Sequence, residues 1–464
     1  MTKPDTPRLL PLAIVMLLGA MMAMFDATIV NVGIETLTVE FDASLPLIEW
    51  VATGYLLSFA ATVPVSGWLS DRFGGRRVWL IGLATFVLAS VGAALAPTAA
   101  VLVAVRIVQG IGAGLLEPTL LTILGRVAGP AQAGRLAGLV GAVTALGPVF
   151  GPVLGGLILA VLDWQWMFLV NIPIGIVAFV LSFRMVPRNT AATSKATLDI
   201  RGLAMLSPGF GLLVYALSMA ASHGFSSIRV LSLLAAGIVL IAAYVRHALR
   251  TTRPALVDVR LFAHRGFTVS VIGFFGVGSM LFATLYLLPL YYQQDRGLDP
   301  FTAGLLLAPV GAGAVISMQI GGRLSDRTGA RPLVTSGAAI AGVAALVLLL
   351  IAPYAAVGVL AALSGVIGWG FGLIGSASFA TVYRSVPTAS VPSATIAMYM
   401  LNQIGAAVGI AVVTVIIQSL NHGTQHMALW WVIGMAVAVF AVGLLHPPVR
   451  DKQRATESAV AEAV

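Results

Sequence analysis

Three ionisable side chains interrupt long apolar stretches of this chain: Asp26, Arg106 and Glu117. A charge placed among apolar groups is costly, so such residues are retained for pairing, proton transfer or the binding of a charged ligand. Asp26 lies in MFDATIVNVGI, and Arg106 opens RIVQGIGAG. Both fall in the same half of their predicted helices, which allows them to pair, and an arginine beside an acid favours the charged carboxylate.

Glu117 follows Arg106 by eleven residues, close to three turns of an α-helix. Arg106, Gln109, Ala113 and Glu117 therefore share one helix face, with Glu117 about 16 Å further along the axis. A polar stripe on a membrane helix is expected to look into the bundle or a cavity. We interpret Glu117 as a proton or cation site; the alternative is a protonated side chain bonded to a neighbouring helix.

The elements that position these residues are membrane helices. The chain is 59% hydrophobic with a mean hydropathy of +1.00, and its apolar runs are continuous over about 20 residues. This predicts an all-α polytopic membrane protein rather than a β-barrel or an enzyme with a soluble core, and the chain has no cysteine for disulfides or thiolate metal sites. We predict fourteen spans, near residues 10–31, 47–68, 78–97, 99–123, 136–160, 166–185, 200–221, 229–247, 267–291, 302–321, 333–352, 355–378, 394–418 and 427–446.

The basic residues fix the orientation of these spans. With the N-terminus in the cytoplasm, all of the 26 lysines and arginines except Arg106, Arg229 and Arg296 fall on the cytoplasmic side. Orientation signals and contacts with lipid headgroups therefore account for the net charge of +9, and no nucleic-acid partner is expected. The chain is expected in the cell membrane, multi-pass, with both termini cytoplasmic.

A charged decapeptide occurs twice, as GWLSDRFGGR at 67–76 and as GRLSDRTGAR at 322–331, identical at seven positions. Both copies fall on the cytoplasmic side, eight spans apart, so they indicate parallel duplicated halves of six helices with two inserted between them. The predicted domains are 1–185, the N-terminal bundle; 186–265, linkers with two inserted helices; 266–446, the C-terminal bundle; and 447–464, a tail. An acid beside arginines can act as a conformational latch, and a loop that only fixes topology is the alternative. The predicted latch residues are Gly67, Asp71, Arg72, Gly74, Arg76, Asp326, Arg327 and Arg331, with Asp71 paired to Arg72 and Arg76, and Asp326 to Arg327 and Arg331.

These motifs resemble those of the major facilitator superfamily, whose signature between the second and third helices runs roughly G-x-L-a-D-r-x-G-r-r. The stretch around Asp26 is similar to the first-helix motif of its fourteen-helix drug:proton antiporters, and RIVQGIGAG to their fourth-helix motif. The resemblance covers about residues 10–446, and it implies two six-helix bundles. It also implies that Asp26 takes part in proton coupling or in attracting cationic substrates, and that Arg106 takes part in proton transfer. The alternatives are a helix-positioning acid at the outer interface for Asp26 and a static partner that neutralises an acid for Arg106. The position of Glu117 is commonly apolar in that family, so its role is not implied by the resemblance.

The fifth span contains GAVTALGPVFGPVLGG at 141–156, which resembles the antiporter motif g-x-x-x-G-P-x-x-G-G. Proline removes a helix hydrogen bond and glycine permits close approach, so we expect a kinked, closely packed helix. The next span begins with WQWMFLVNIPIG, similar to the entry of the family's sixth helix. The residues assigned to the antiporter helix are Gly147, Pro148, Gly151, Pro152, Gly155 and Gly156.

Polar, aromatic and sulfur-containing side chains in the spans are candidates for lining a substrate cavity. Each of them alone is also compatible with simple packing. The candidates are Asn31, Tyr55, Gln109, Tyr286, Gln319, Met398, Asn402 and Gln403.

The expected function is proton-coupled export of amphipathic, mostly cationic compounds by alternating access. The chain contains no G-x-x-x-x-G-K-[ST] segment, so the proton gradient is the expected energy source and no cofactor or metal is required. The expected partners are a small-molecule substrate, protons and the bilayer, with the protein as a monomer. Export of an endogenous metabolite or antibiotic, and a receptor or scaffold without transport, are the alternatives.

Overall fold

The computed structural model describes residues 9–128, 151, 154–187, 199–251, 255–298, 300–387, 390–419 and 425–446, and its long elements are helices. We number the α-helices in chain order. They are α1 Leu9–Val32, α2 Ile34–Glu40, α3 Leu45–Phe73, α4 Gly75–Ala94, α5 Ala99–Ala128, α6 154–161, α7 Trp166–Leu169, α8 Asn171–Met185, α9 Ile200–His223, α10 Ile228–Arg250, α11 Arg265–Leu290, α12 Pro300–Leu305, α13 Ala308–Thr328, α14 Ala330–Ile351, α15 Val357–Ser385, α16 Val391–Ser419 and α17 Leu429–Gly443.

Twelve helical segments within the described residues are long and apolar enough to cross a membrane, so the chain is a multi-pass membrane protein. Two of the predicted spans are not among the twelve. The span at 47–68 lies within α3, a 29-residue helix that also carries polar side chains. The span at 136–160 lies mostly outside the described residues. The count of fourteen therefore stays a prediction.

Several helices run well past the apolar segments that predicted them. α5 continues from the predicted end at 123 to Ala128, and α15 continues from 378 to Ser385. Apolar residues set the depth of a helix in the membrane, whereas backbone hydrogen bonds let it continue into water. As a result Arg126 and Arg384 stand on helices rather than in loops.

Three alternating glycines bring α5 against its neighbours. A Cβ on Gly114 would lie 2.7 Å from the Phe59 carbonyl oxygen of α3, and one on Gly112 would lie 2.9 Å from the Phe86 nitrogen of α4. Gly110 packs against α3 in the same manner as Gly114. These contacts are possible only without side chains, so the glycines fix α5 between α3 and α4.

α15 repeats this arrangement in the other half of the chain. Its glycines 368, 370 and 372 have the same alternating spacing as those of α5. A Cβ on Gly370 would lie 2.5 Å from the Gly337 carbonyl oxygen of α14, and one on Gly368 would lie 2.8 Å from the Val310 carbonyl carbon of α13. α15 thus packs between α13 and α14 as α5 packs between α3 and α4.

α9 packs against α3 on one side and α16 on the other, and α10 packs on α9. Leu206 and Phe210 of α9 are buried together with residues from both ends of the chain. Gly237 of α10 allows a close crossing, since its Cβ would lie 2.9 Å from the Leu213 side chain of α9. The two helices therefore border both halves, in keeping with their prediction as an insertion.

The apolar core is shared at one end of the bundle and divided at the other. We call the end where α3, α5, α8, α13 and α15 terminate the basic end, because those last turns carry Arg72, Arg126, Arg184, Arg327 and Arg384. One buried cluster there joins α1 and α5 to the facing parts of α11, α15 and α16. A second cluster consists of residues of the second half of the chain, and a third of residues of the first half at the opposite end. The two halves are thus packed together at the basic end.

Candidate functional site

Asp26 of α1 and Arg106 of α5 form an ion pair in which both side chains are fully buried. Arg106 Nη1 donates to Asp26 and also to Gln109 Oε1 at 2.7 Å, and its Nε donates to the Val51 carbonyl at 3.0 Å. The predicted pairing of Asp26 with Arg106 is thus present. The guanidinium is held by three helices, which leaves it little freedom to move.

The second Asp26 oxygen is occupied as well. Oδ1 accepts from Gln109 Nε2 at 3.1 Å and from Asn171 Nδ2 at 2.8 Å, while Gln109 Nε2 also donates to Ser90 Oγ at 2.8 Å. Both carboxylate oxygens of Asp26 therefore accept hydrogen bonds from buried donors. Asn171 was missed as a site residue, although it is the amide in the quoted WQWMFLVNIPIG segment.

Tyr55 closes this network on the side of α3. Its hydroxyl donates to the Ala23 carbonyl at 3.0 Å, and its ring lies 4.2 Å from the Arg106 guanidinium carbon. This cation–π contact stabilises the buried charge of Arg106. Tyr55 and Gln109, both predicted as cavity residues, thus belong to the ion-pair network.

A cavity lies between the two halves, next to the shared cluster at the basic end. Its walls come from α1, α5, α11, α13, α15 and α16, and they are mainly aliphatic, aromatic and methionine side chains. Such walls suit apolar compounds of varied shape, because methionine and aromatic side chains adapt to them. The lining residues are Leu17, Ala20, Met24, Glu117, Leu120, Leu121, Phe274, Val277, Gly278, Leu281, Phe282, Ala314, Met318, Phe371, Gly372, Gly375, Phe379, Met398, Tyr399 and Asn402.

Glu117 is the single charged residue among these lining residues. The Tyr399 hydroxyl of α16 donates a hydrogen bond to its carboxylate, which joins the first half of the chain to the second. Glu117 thus faces a cavity, as predicted, and it also has a hydrogen-bond partner on a neighbouring helix. Its role as a proton or cation site stays a prediction, and so does the alternative of a protonated, structural side chain. Tyr399 was not predicted, because no spacing in the sequence links residues of two distant helices.

Of the predicted cavity residues, Met398 and Asn402 line the cavity. Asn402 Nδ2 donates to the Phe274 carbonyl of α11 at 2.9 Å, which ties α16 to α11. Tyr286 packs against the cluster of the second half, away from the lining residues. Gln319 and Gln403 are partly buried on α13 and α16, also outside the lining, and the side chain of Asn31 lies outside the described part of the structure.

The first copy of the decapeptide is joined to the bundle by contacts other than the predicted ones. Asp71, in the last turn of α3, pairs with Arg126 at the end of α5 at 2.8 Å, and both are about one third exposed. The expected pairing of Asp71 with Arg72 and Arg76 is not what the structure has, because α5 extends far enough to bring Arg126 beside it. Arg76 instead donates to the Phe183 carbonyl of α8 and stacks on that ring.

The second copy is held in a corresponding way. Arg384 at the end of α15 donates to the Ser325 carbonyl at 3.1 Å and to its Oγ at 2.6 Å. Arg327 and Arg331 are exposed, and the side chain of Asp326 is outside the described part.

One glycine of each decapeptide copy makes the turn between two helices. Gly74 has φ 89° and links α3 to α4, and Gly329 has φ 79° at the same place of the second copy. Positive φ favours glycine, so these residues make the tight turns. Gly67 is buried within α3.

The antiporter helix is described only at its end. Gly151 lies against Thr28 of α1, where a side chain would overlap, and a Cβ on Gly155 would lie 3.1 Å from the Ile29 carbonyl oxygen. Both contacts fit the expected close packing, whereas Gly156 faces open space. Gly147, Pro148 and Pro152 lie outside the described residues, so the expected kink stays a prediction.

Residues 16–410 match the profile of the Major Facilitator Superfamily. Solved structures with a similar fold include the human organic anion transporter MFSD10 (TETRAN), with a TM-score of 0.66, 16% identity and coverage of 95% of this chain and 100% of that one. The proton:xylose symporter XylE has a TM-score of 0.61, 17% identity and coverage of 95% and 96%.

Relatives of known name share more of the sequence. The Multidrug resistance protein B homolog of Mycobacterium tuberculosis is 38% identical over 330 residues, which are 71% of this chain and 61% of that protein's length. The Methylenomycin A resistance protein of Streptomyces coelicolor is 33% identical over 434 residues, 92% of this chain and 88% of the relative. The Lincomycin resistance protein LmrB of Listeria innocua is 30% identical over 412 residues, with coverage of 89% and 87%.

The chain therefore belongs to the Major Facilitator Superfamily, a family of transporters and not of enzymes. Embedding in a bilayer agrees with this membership and with the twelve apolar helices of the described residues.

Proposed function

We propose that this member of the Major Facilitator Superfamily exports amphipathic, mostly cationic compounds in exchange for protons by alternating access. The observation that carries the proposal is the cavity between the halves, whose lining is apolar and aromatic apart from one acid, Glu117, and two neutral polar residues, Tyr399 and Asn402. An apolar compound with one positive charge matches such a lining, since the aromatic faces and the carboxylate both attract a cation. The names of the relatives, three of them resistance proteins, support export of toxic compounds.

The described conformation supports alternating access. The shared cluster closes the cavity at the basic end, while the first half has a separate cluster at the opposite end. The positive-inside rule orients the basic end toward the cytoplasm, so this conformation is the one closed to the cytoplasm. We further propose fourteen spans in two six-helix bundles plus the inserted α9 and α10, cytoplasmic termini, a monomer in the cell membrane, and the proton gradient as energy source with no cofactor.

Glu117 and the Asp26–Arg106 pair have different parts in this proposal. Glu117 lines the cavity and can exchange a proton for a substrate cation there. Asp26 is fully buried and saturated by donors, so protonating it requires the network to open. The proposal assigns exchange to Glu117, and to Asp26 and Arg106 a supporting role in proton coupling, the positioning of α5.

The test uses everted vesicles loaded with a pH-sensitive dye, energised, and then given tetraphenylphosphonium as a lipophilic monovalent cation. We expect cation-evoked proton release from the unaltered protein and its loss in Glu117→Gln. Asp163→Asn, which removes an acid on an exposed loop, is the matched control and should keep the response. A full response in Glu117→Gln would contradict the assigned exchange site.

Export of an antibiotic is the second candidate, favoured by the relative named Methylenomycin A resistance protein, which aligns with 92% of this chain. The same vesicles distinguish the two candidates when a panel of antibiotics replaces the cation. A response to antibiotics without any response to cationic dyes or quaternary amines supports the second candidate. A receptor or scaffold without transport would give no response to either group.

A further inference from the structure

We propose that Tyr399 is a positioning residue that holds the basic end closed while Glu117 is charged and the cavity is empty. The inference deepens the proposed function and rests on it for the identity of the exchange site. It starts from the hydrogen bond that the Tyr399 hydroxyl of α16 donates to the Glu117 carboxylate of α5. That bond crosses from one half of the transporter to the other at the floor of the cavity.

The bond lies directly at the closed end. Leu120 and Leu121, about one turn beyond Glu117 on α5, belong to the shared cluster and also line the cavity. On α16, Met398 and Met400 on either side of Tyr399 belong to the same cluster. Opening the basic end separates these parts of α5 and α16, so it must break the bond between Glu117 and Tyr399.

The Tyr399 ring is held in place from the first half as well. It meets the Phe59 ring of α3 edge to face with centroids 6.0 Å apart, and Phe59 stacks on Tyr55 at 6.4 Å. Edge-to-face contacts of this kind stabilise an aromatic pair beyond the effect of the area that it buries. The hydroxyl is therefore presented to Glu117 by packing and does not depend on the hydrogen bond alone.

The cost of opening depends on the charge of Glu117. Pulling Tyr399 away breaks a charge-assisted hydrogen bond of the carboxylate, a penalty that the apolar walls of the cavity do not offset. A proton on the carboxylate, or a cation beside it, removes that penalty. Among the described groups, the titratable side chains that face Glu117 are Tyr399 from α16 and Tyr55 from α3, and the lining residues of α1, α11, α13 and α15 carry none.

The consequence is that an empty, unprotonated transporter stays closed at the basic end. It opens after Glu117 takes up a proton, and the proton leaves to solvent when a cation takes its place beside the carboxylate. This requirement makes exchange obligatory and suppresses movement of the empty carrier. Tyr399 is thus the residue that converts the charge of Glu117 into a constraint on the position of α16.

The natural absence of cysteine allows a direct test. Ala394→Cys places a reporter thiol in the shared cluster, where Ala394 is 1% exposed. Its rate of reaction with a membrane-impermeant maleimide in nanodiscs measures opening of the basic end, and Thr328→Cys, at an exposed position of that end, corrects for intrinsic thiol reactivity. We expect slow labelling in alkaline buffer and faster labelling after mild acidification or addition of tetraphenylphosphonium.

Tyr399→Phe removes the hydroxyl and keeps the ring. We expect it to raise the alkaline labelling rate about tenfold, the factor that corresponds to one hydrogen bond with a charged group. Tyr291→Phe is the matched control, because the Tyr291 hydroxyl donates at 2.6 Å to the Ala352 carbonyl within one half. That control should leave the labelling rate of Ala394→Cys unchanged.

Glu117→Gln is the second variant, and it should label quickly with no further response to pH or cation. The proposal is overturned if Tyr399→Phe labels like the unaltered protein, or if Glu117→Gln keeps the pH and cation responses. Labelling that follows these expectations while no compound evokes proton release would refute the proposed transport and leave the closing contact intact. Cation-evoked proton release together with labelling that does not respond to pH or cation would refute the closing contact and leave the proposed transport intact.

Discussion

α5 and α15 occupy matching places in the two halves and pack through the same alternating glycines, but only α5 carries charges in its middle. Arg106 precedes the first glycine of α5 by four residues, and Ser364 takes that place in α15. Glu117 follows the last of the three alternating glycines of α5 by three residues, and Gly375 takes that place in α15. Glu117 and Gly375 both line the cavity, from opposite halves.

The two helices differ in what is specific to each half. The glycine contacts recur in both halves, because each half must pack its central helix closely between two others. The ionisable groups do not recur, so the exchange that we propose rests on charged residues of the first half. The second half contributes apolar cavity walls, the amide of Asn402 and the hydroxyl that Tyr399 presents to Glu117.

The largest effect on stability is expected at the buried ion pair between Arg106 and Asp26, which has no counterpart at Ser364 of α15. Asp26→Asn leaves the Arg106 guanidinium buried without its anion, which should lower the free energy of unfolding by about 3–5 kcal/mol. Thermal unfolding followed by tryptophan fluorescence in detergent measures the change. The double variant Asp26→Leu with Arg106→Met should recover most of the loss, since it removes both charges, and failure of that recovery would show that the pair has another partner.

A smaller and symmetric effect is expected at the glycines that the two helices share. Gly112→Ala and Gly370→Ala each add a Cβ that would lie within 2.9 Å of backbone atoms, so each should cost about 1–3 kcal/mol. Gly434→Ala on α17 is the control, because nothing lies within 4 Å of its Cβ. The same unfolding measurement applies. If only one of the two substitutions lowers the free energy of unfolding strongly, the two helices are not packed equivalently.

The smallest effect on stability is expected at the surface ion pair between Asp71 and Arg126. Both side chains are about one third exposed, so Asp71→Asn should change the free energy of unfolding by less than about 1 kcal/mol. Its transport rate in vesicles should fall more than its expression, because the pair joins the ends of α3 and α5 at the closing face. Equal losses of rate and expression would make the contact purely structural.

The sequence predicts the parts of the site that lie on one helix. The cost of burying charge identifies Asp26, Arg106 and Glu117 as candidate site residues. The 3.6-residue period places Arg106 and Glu117 on one face of their helix. Their partners Asn171 and Tyr399 come from helices whose neighbours no local period can specify. The structure is needed for each of those contacts.

Two further predictions differ from the structure, each for its own physical reason. The predicted partners of Asp71, Arg72 and Arg76, lie in its own loop. Apolar runs do not show how far a helix extends into water, and the extension of α5 to Ala128 brings Arg126 beside Asp71 instead. The sequence predicts polar residues such as Gln109 and Gln319 in the cavity beside aromatic and methionine side chains, but neither glutamine is among the lining residues. Buried polar groups satisfy one another first, which leaves apolar side chains to face a cavity.

The most direct test of exchange at Glu117 counts the protons released when a cation binds. Purified protein in weakly buffered detergent receives tetraphenylphosphonium, and a pH indicator records the release. Our account predicts release from the unaltered protein and from Asp26→Asn, and none from Glu117→Gln. Undiminished release from Glu117→Gln, together with none from Asp26→Asn, would contradict it and return the exchange to the buried pair.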